Sequence, residues 1–136
     1  MKKEKLHILP TNNTPEVILD PGGIIGFKGR AIEEYESDLP KKIMRWIDAY
    51  LLNPAGTTKV TIALEYLNSY NSIVLSSFLR KLSQVNQQSK KLIIQWYVEA
   101  DDDDLLERGK YISSTFNLPI QFIPTDDLNN YSKKSS

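Results

Sequence analysis

The stretch that decides the fold is VTIALEYL, Val60–Leu67, followed directly by NSYNS, Asn68–Ser72. Apolar side chains occupy both the odd and the even positions of Val60–Leu67, which is typical of a central strand covered on both faces. After Asn68–Ser72, apolar residues recur at the spacing of a helix, namely Val74, Leu75, Phe78, Leu79, Leu82 and Val85. The stretch therefore predicts a buried strand, a short polar junction and a helix, which together are the basic unit of an α/β fold.

The segment that precedes this unit predicts a hairpin and another helix. Val17–Leu19 and Ile24–Arg30 flank the turn Asp20–Gly23, and the glycines of the second segment permit a bend or a bulge. A helix is expected to begin with Ser37 or Asp38 as its cap. Its apolar stripe comprises Leu39, Ile43, Trp46, Ile47, Tyr50 and Leu51.

The segment that follows repeats the alternation of strand and helix. Leu92–Val98 predicts a second buried strand, Asp101–Asp104 begins a third helix, and Ile120–Ile123 is the last strand. The predicted order is β-β-α-β-α-β-α-β. Strand–helix–strand units join parallel strands by right-handed crossovers, so the later strands should be parallel. We therefore expect an α/β fold with a single mixed sheet and helices packed on it in one or two layers.

The composition fits one domain and excludes several classes of site. The 136 residues carry 17 basic and 17 acidic side chains, so the net charge is zero, which argues against a nucleic-acid or membrane-surface partner. The chain has no cysteine and a single histidine, His7, which has no evident catalytic partner in the sequence. We expect no catalytic residues, no metal and no cofactor, since the chain also lacks GxGxxG before a helix and GxxxxGK[ST].

The ends of the chain are more polar than its middle. We predict a flexible N-terminal arm over residues 1–14, a single domain over residues 15–124 and a polar C-terminal tail over residues 125–136. No apolar run has the ~18 residues needed to cross a bilayer, and the start lacks the apolar segment of a signal peptide. The sequence therefore predicts a soluble, cytoplasmic protein.

Two other features have a structural and a functional interpretation. Asp101–Asp104 offers carboxylates to a divalent cation, but acidic residues are also favoured in the first turn of a helix, and this second interpretation is preferred. Trp46 and Trp96 lie on predicted core stripes and are expected to be packing residues. Trp96 with Tyr97 is the alternative candidate for a surface that contacts a partner.

The junction at Ser69 is the most informative place for function. It lies at the carboxyl end of a buried strand, the edge of an α/β sheet where functional groups gather. A phosphate on Ser69 would meet the free amides and the positive end of the following helix. The alternative is that Ser69 or Asn68 only caps that helix.

Four segments of the chain together resemble the SiaC family of bacterial regulatory phosphoproteins. They are the hairpin, the helix containing Trp46–Leu51, the strand that ends in Leu64–Ser69 and the strand Ile94–Tyr97. The most specific part is the Tyr-Leu-Asn-Ser motif, and the resemblance covers about residues 15–123. The chain departs from the family pattern in two places: the motif residue is Ser69 rather than threonine, which still accepts phosphate, and Tyr70 lies where a small hydroxyl residue is expected.

The resemblance implies a fold similar to STAS domains and a role in partner switching. By this resemblance Ser69 is the phosphorylation site, and the partner-binding surface comprises Tyr66, Asn68, Ser69, Tyr70 and Ser72. The implied partners are a cognate serine/threonine kinase, a PP2C-type phosphatase and an output protein such as a diguanylate cyclase.

These observations favour a non-enzymatic phospho-switch. The first alternative is a small enzyme or a nucleotide-binding domain that uses the same carboxyl edge of the sheet. It is disfavoured by the lone histidine, the absence of cysteine and the missing phosphate-loop motif. The second alternative is an interaction module that binds its partner constitutively, without modification.

Overall fold

Residues 4–34 and 37–130 are described by a computed structural model, and they contain six strands and three helices. The strands are β1 (Leu6–Ile8), β2 (Glu16–Asp20), β3 (Ile24–Ala31), β4 (Thr57–Leu67), β5 (Lys91–Glu99) and β6 (Ile120–Thr125). The helices are α1 (Asp38–Tyr50), α2 (Ser69–Leu82) and α3 (Asp103–Thr115). Short 3₁₀ turns lie at Ser83–Gln88 and Leu128–Asn130.

The strands form one sheet in which spatial order follows chain order, β1-β2-β3-β4-β5-β6. The pairs β1–β2 and β2–β3 are antiparallel, whereas β3–β4, β4–β5 and β5–β6 are parallel. Each of α1, α2 and α3 connects two neighbouring parallel strands. Because such crossovers are right-handed and all advance in the same direction, the three helices lie on the same face of the sheet. The predicted α/β class and mixed sheet are confirmed, with the helices in a single layer.

The main core lies between this helical layer and the sheet. Every helix contributes buried apolar side chains to one continuous cluster, and alternate residues of β2 to β5 supply the other side. The largest fully buried side chains in it include Trp96, Tyr50, Leu19, Ile25, Ile47 and Ile62. Trp46 is also buried, and both tryptophans are packing residues as predicted. The alternative placement of Trp96 on a partner surface is wrong, because its side chain is 0% exposed.

The other face of the sheet is covered over only part of its area. Ala63 on β4 and Tyr97 on β5 form a small second cluster with Leu128, and Ile123 packs against it. This explains why both parities of the central strands are apolar. The short segment after β6 covers this part of the second face. The sequence had left open whether the helices form one layer or two.

The hairpin between β2 and β3 and the bulge after it follow from glycine. Gly23, at φ +103°, donates its amide to Asp20 O at 2.9 Å and closes the turn. Gly29, at φ +114°, marks a shift of register between β3 and β4, where Glu65 is the additional residue. The glycines were expected to permit a bend or a bulge in the hairpin, and the irregularity lies instead between β3 and β4. Because the bulge inserts one residue, Leu67 returns to the helical face and packs in the core.

The N-terminal segment differs from the prediction of a flexible arm. Leu6–Ile8 pairs antiparallel with β2, His7 Nε2 lies 2.7 Å from Glu16 Oε2, and Trp46 Nε1 donates to Glu4 O at 2.8 Å. The strand was missed because three residues between polar and proline-containing segments carry no recognisable period. His7 therefore has a carboxylate partner, contrary to the expectation from sequence, but on strands remote from Ser69.

The C-terminal segment also departs from the predicted boundary. Thr125 is the last residue of β6 and is buried, and Leu128 is buried in the second cluster. The last strand and the second cluster therefore include residues after 124. The rest of the predicted tail, residues 131–136, and residues 1–3 of the arm lie outside the described part of the chain. Within the described part, no helix is long and apolar enough to cross a membrane.

Candidate functional site

The junction between β4 and α2 is closed by Asn68, which is the N-cap of α2. Its Oδ1 accepts the Asn71 amide at 2.9 Å, so one of the free amides of the first turn is satisfied. The cap is therefore Asn68 and not Ser69. The sequence had allowed either Asn68 or Ser69 as the cap, and the structure assigns this role to Asn68.

The start of α2 is tied to the segment that follows β3. Asn71 Nδ2 donates to Glu33 O at 2.9 Å and to Asn68 Oδ1 at 2.7 Å, and the Asn68 amide donates to Ala31 O at 3.2 Å. These bonds hold the carboxyl ends of β3 and β4 and the first turn of α2 in one arrangement. The backbone that presents Ser69 is therefore fixed from two sides.

Ser69 is the first residue of α2, and its side chain is exposed. Its hydroxyl makes no hydrogen bond within residues 4–34 and 37–130. Ser72, one turn later, is different: it is half-buried, and its Oγ donates to Asn68 O at 2.9 Å. Of these two serines, Ser69 is the one whose hydroxyl is accessible to a modifying enzyme.

The predicted partner-binding residues divide between two surfaces. Ser69 and Ser72 lie on the helical side of the sheet, with Asn68 beneath them as the cap. Tyr66 precedes the core residue Leu67 and therefore points to the opposite face of the sheet.

Tyr66 and Tyr70 are the two aromatic residues beside this junction. Tyr66 is 53% exposed, and the Arg30 guanidinium lies over its ring at 4.7 Å from the centroid. Tyr70 is half-buried in the first turn of α2. The structure thus brings the five predicted residues to one end of the sheet but presents Tyr66 to a different face from Ser69.

A groove between α2 and α3 begins at Ser69 and contains residues that sequence reasoning missed. It has a volume of about 510 Å³. Ile73 on α2 and Tyr111 on α3 lie along it with 71% and 68% of their surface exposed. Two charged residues of α3, Glu107 and Arg108, also line it.

Arg108 is the charged residue of the groove that contacts the first turn of α2. Its Nη1 donates to Ser72 Oγ at 3.3 Å. The only sequence signal for this contact is topological, because consecutive crossovers on one face place α3 beside α2.

The acidic run at the start of α3 has the structural role that was preferred for it. Asp102 is the N-cap, and its Oδ1 accepts the Leu105 amide at 3.1 Å. Asp103 and Asp104 occupy the first turn, where carboxylates offset the positive end of the helix. Among the described residues, no group of three or more His, Cys, Asp or Glu side chains is arranged to hold a metal ion.

The family model of the SiaC family of regulatory phosphoproteins matches residues 8–125 of this sequence. The chain belongs to the SiaC family. The match spans β2 to β6, all three helices and the junction at Ser69. Because the members of the family are regulatory proteins, it confirms the resemblance and the prediction that the chain is not an enzyme.

Solved structures show that the fold is shared at low sequence identity. Apo-SiaC from Pseudomonas aeruginosa is 20% identical, with a TM-score of 0.75 over 87% of this chain and 97% of that one. SiaC in a complex described as the diguanylate cyclase SiaD with its activator SiaC, from the same organism, is 19% identical. Its TM-score is 0.79 over 88% of this chain and 99% of that one.

A relative from the same species has similar coverage. It is an uncharacterised protein of Pseudomonas aeruginosa strain UCBPP-PA14, 20% identical over 123 residues, which are 90% of this chain and 98% of the relative. The relative and the two solved structures therefore each match at least 87% of this chain.

Proposed function

We propose that this chain is a cytoplasmic phospho-switch of a partner-switching pathway, in which phosphorylation of Ser69 controls binding to an output protein such as a diguanylate cyclase. The observation that carries the proposal is the state of Ser69. It is exposed, its hydroxyl makes no hydrogen bond among the described residues, and it begins a helix within the part of the chain that the family model matches. The proposal goes beyond family membership because it assigns the modification to the hydroxyl oxygen of Ser69.

The geometry of the junction favours reversible modification. Asn68 supplies the cap, so the Ser69 hydroxyl is not needed to complete α2. A phosphate adds about −1.5 to −2 charges at neutral pH, and at the start of a helix this charge is stabilised by free amides. Phosphorylation therefore changes the charge of the surface without a requirement to refold it.

The resemblance to the SiaC family implies the enzymes that would act on Ser69. A dedicated serine/threonine kinase adds the phosphate and a PP2C-type phosphatase removes it, so that the modification is reversible. The output protein binds this end of the sheet, where it contacts Asn68, Ser69, Tyr70 and Ser72 at the start of α2 and Tyr66 on the opposite face. Because the chain has no net charge, one phosphate on Ser69 changes the electrostatic potential of this contact region substantially.

The complex of SiaD with its activator SiaC supports a diguanylate cyclase as the output partner. The exposed ring of Tyr66 and the half-buried ring of Tyr70 flank Ser69 along the chain. Aromatic residues of this kind are enriched at protein interfaces, because they bury a large area at a low cost in side-chain entropy. A partner seated over this end of the sheet would contact a phosphate on Ser69.

The site of modification is tested by incubating the purified chain with its cognate kinase and ATP and mapping the phosphate by mass spectrometry. We expect one phosphate on Ser69 in the wild type and in the control Ser72→Ala, and none in Ser69→Ala. The control removes a hydroxyl from the same turn of α2. A phosphate on Ser72, or unchanged phosphorylation of Ser69→Ala, would show that Ser69 is not the switch.

A further inference from the structure

Arg108 contacts the first turn of α2 from a helix that packs closely on the sheet. The next residue, Gly109, is buried, and a Cβ added there would lie 2.5 Å from Phe122 Cε1 and 3.2 Å from Trp96 Cδ2. The absence of a side chain lets the backbone of α3 approach β5 and β6 closely. This approach fixes the position from which Arg108 extends to Ser72.

Ser69 and Ser72 share a face of α2, because residues three apart on a helix are neighbours, with Cβ atoms about 5–6 Å apart. Both line the groove with Arg108. The Arg108–Ser72 bond is long, at 3.3 Å, and its acceptor is a neutral hydroxyl. A phosphate that extends from Ser69 into the groove offers the guanidinium a stronger, charged acceptor beside the one it already has.

We propose that Arg108 binds the phosphate on Ser69 and thereby ties the start of α2 to α3. The inference rests on the proposed phosphorylation of Ser69. Arg108 is half-buried and lines the groove beside Ser69. The groove is wide enough to take the phosphate, with a volume of about 510 Å³.

Three basic side chains of β3 and α2 have partners away from Ser69. Arg30 lies over the ring of Tyr66 on the opposite face, and Lys81 lies 3.3 Å from Asp48. Arg80 lies over the ring of Phe116, eleven residues and so about 16 Å further along α2 than Ser69.

The charges of the groove itself point to Arg108 and predict a consequence for binding. Among the described residues that line the groove, Arg108 is the cation and Glu107 is the anion. Phosphorylation would pair Arg108 internally and leave the groove negative. A partner that uses Arg108 in the unmodified protein would lose that contact.

The test places phosphoserine at position 69 of the full chain by genetic encoding, so that it does not depend on a kinase. The second pKa of the phosphate, about 6 for an ordinary phosphoserine, is read from the pH dependence of its ³¹P shift. An adjacent guanidinium favours the dianion and lowers this pKa. We expect the pKa to be low in the wild type and in the control Arg80→Gln, and higher in Arg108→Gln.

Equal pKa values in the wild type and Arg108→Gln would overturn the inference. Circular dichroism of unmodified Arg108→Gln checks that this variant is folded. Arg108→Lys keeps the positive charge but lacks the planar guanidinium that donates two parallel hydrogen bonds, so it should give an intermediate phosphate pKa. If the kinase does not phosphorylate Ser69 but the phosphate pKa still depends on Arg108, the proposed function is wrong and the contact between Arg108 and the phosphate is supported. If the kinase modifies Ser69 and the pKa does not depend on Arg108, only the Arg108 contact fails.

Discussion

Neighbouring residues at the start of α2 have different tasks. Asn68 accepts an amide of the first turn and is the structural residue, whereas Ser69 makes no hydrogen bond among the described residues and is the one proposed for modification. Sequence alone left the cap open between them, since either side chain can accept such a bond. The choice depends on backbone dihedrals: Asn68, at φ −85° and ψ 176°, is extended and lies just outside the helix.

This division predicts different effects of two alanine substitutions on stability. Asn68→Ala removes the cap and should lower the free energy of unfolding by about 0.5–2 kcal/mol. Ser69→Ala removes an exposed hydroxyl and should change it by less than about 0.5 kcal/mol. Urea unfolding of the two variants beside the wild type measures both values. A loss for Ser69→Ala as large as that for Asn68→Ala would mean that Ser69 supports the fold.

Trp96 is predicted to be among the most costly residues to remove. Its side chain is fully buried and stacks at a tilt against Phe122, with ring centroids 6.1 Å apart. Trp96→Ala should destabilise the protein by about 3–5 kcal/mol. Trp96→Phe should cost less, because it keeps an aromatic ring and removes a buried indole Nε1 that has no hydrogen-bond partner among the described residues. Thermal or urea unfolding that ranks the two variants in the opposite order would contradict this packing.

At the scale of elements, the position of α3 depends on Gly109. Alanine normally favours a helix over glycine by about 1 kcal/mol. In α3 we expect the opposite, a loss of about 1–3 kcal/mol for Gly109→Ala, because the new methyl group would overpack against Phe122 and Trp96. Lys110→Ala is the matched control on the same helix, exposed and expected to be near neutral. Stabilisation by Gly109→Ala in equilibrium unfolding would show that α3 has room at this position.

The elements that sequence predicted correctly are those with a strong period or a clear boundary. The three helices follow from their apolar stripes, and β4 and β5 from their apolar runs. Strand β1 was missed because three residues are too few to show an alternation, and their pairing depends on β2 nine or more residues away. The burial of Leu128 was missed for a similar reason, since its partners Ala63 and Tyr97 are remote in sequence.

At the scale of the whole molecule, the candidate site follows from the single layer of helices. Because chain order and spatial order coincide, α2 and α3 are neighbours, and the groove between them opens beside Ser69. The position of Ser69 at a strand–helix junction was predictable from the sequence. Arg108 was not, because its contact with Ser72 joins residues 36 positions apart and neither residue type signals the other.

The central claim is that a phosphate on Ser69 decides which partner the protein binds. The most direct measurement is a calorimetric binding titration of a diguanylate cyclase encoded by the same genome with three forms of the full chain: unmodified, phosphorylated on Ser69, and Ser69→Ala. We predict equal affinity for the unmodified protein and Ser69→Ala, and a loss of at least about tenfold, or 1.4 kcal/mol, on phosphorylation. Detectable binding with the same affinity in all three forms would contradict the claim and leave a module that binds constitutively.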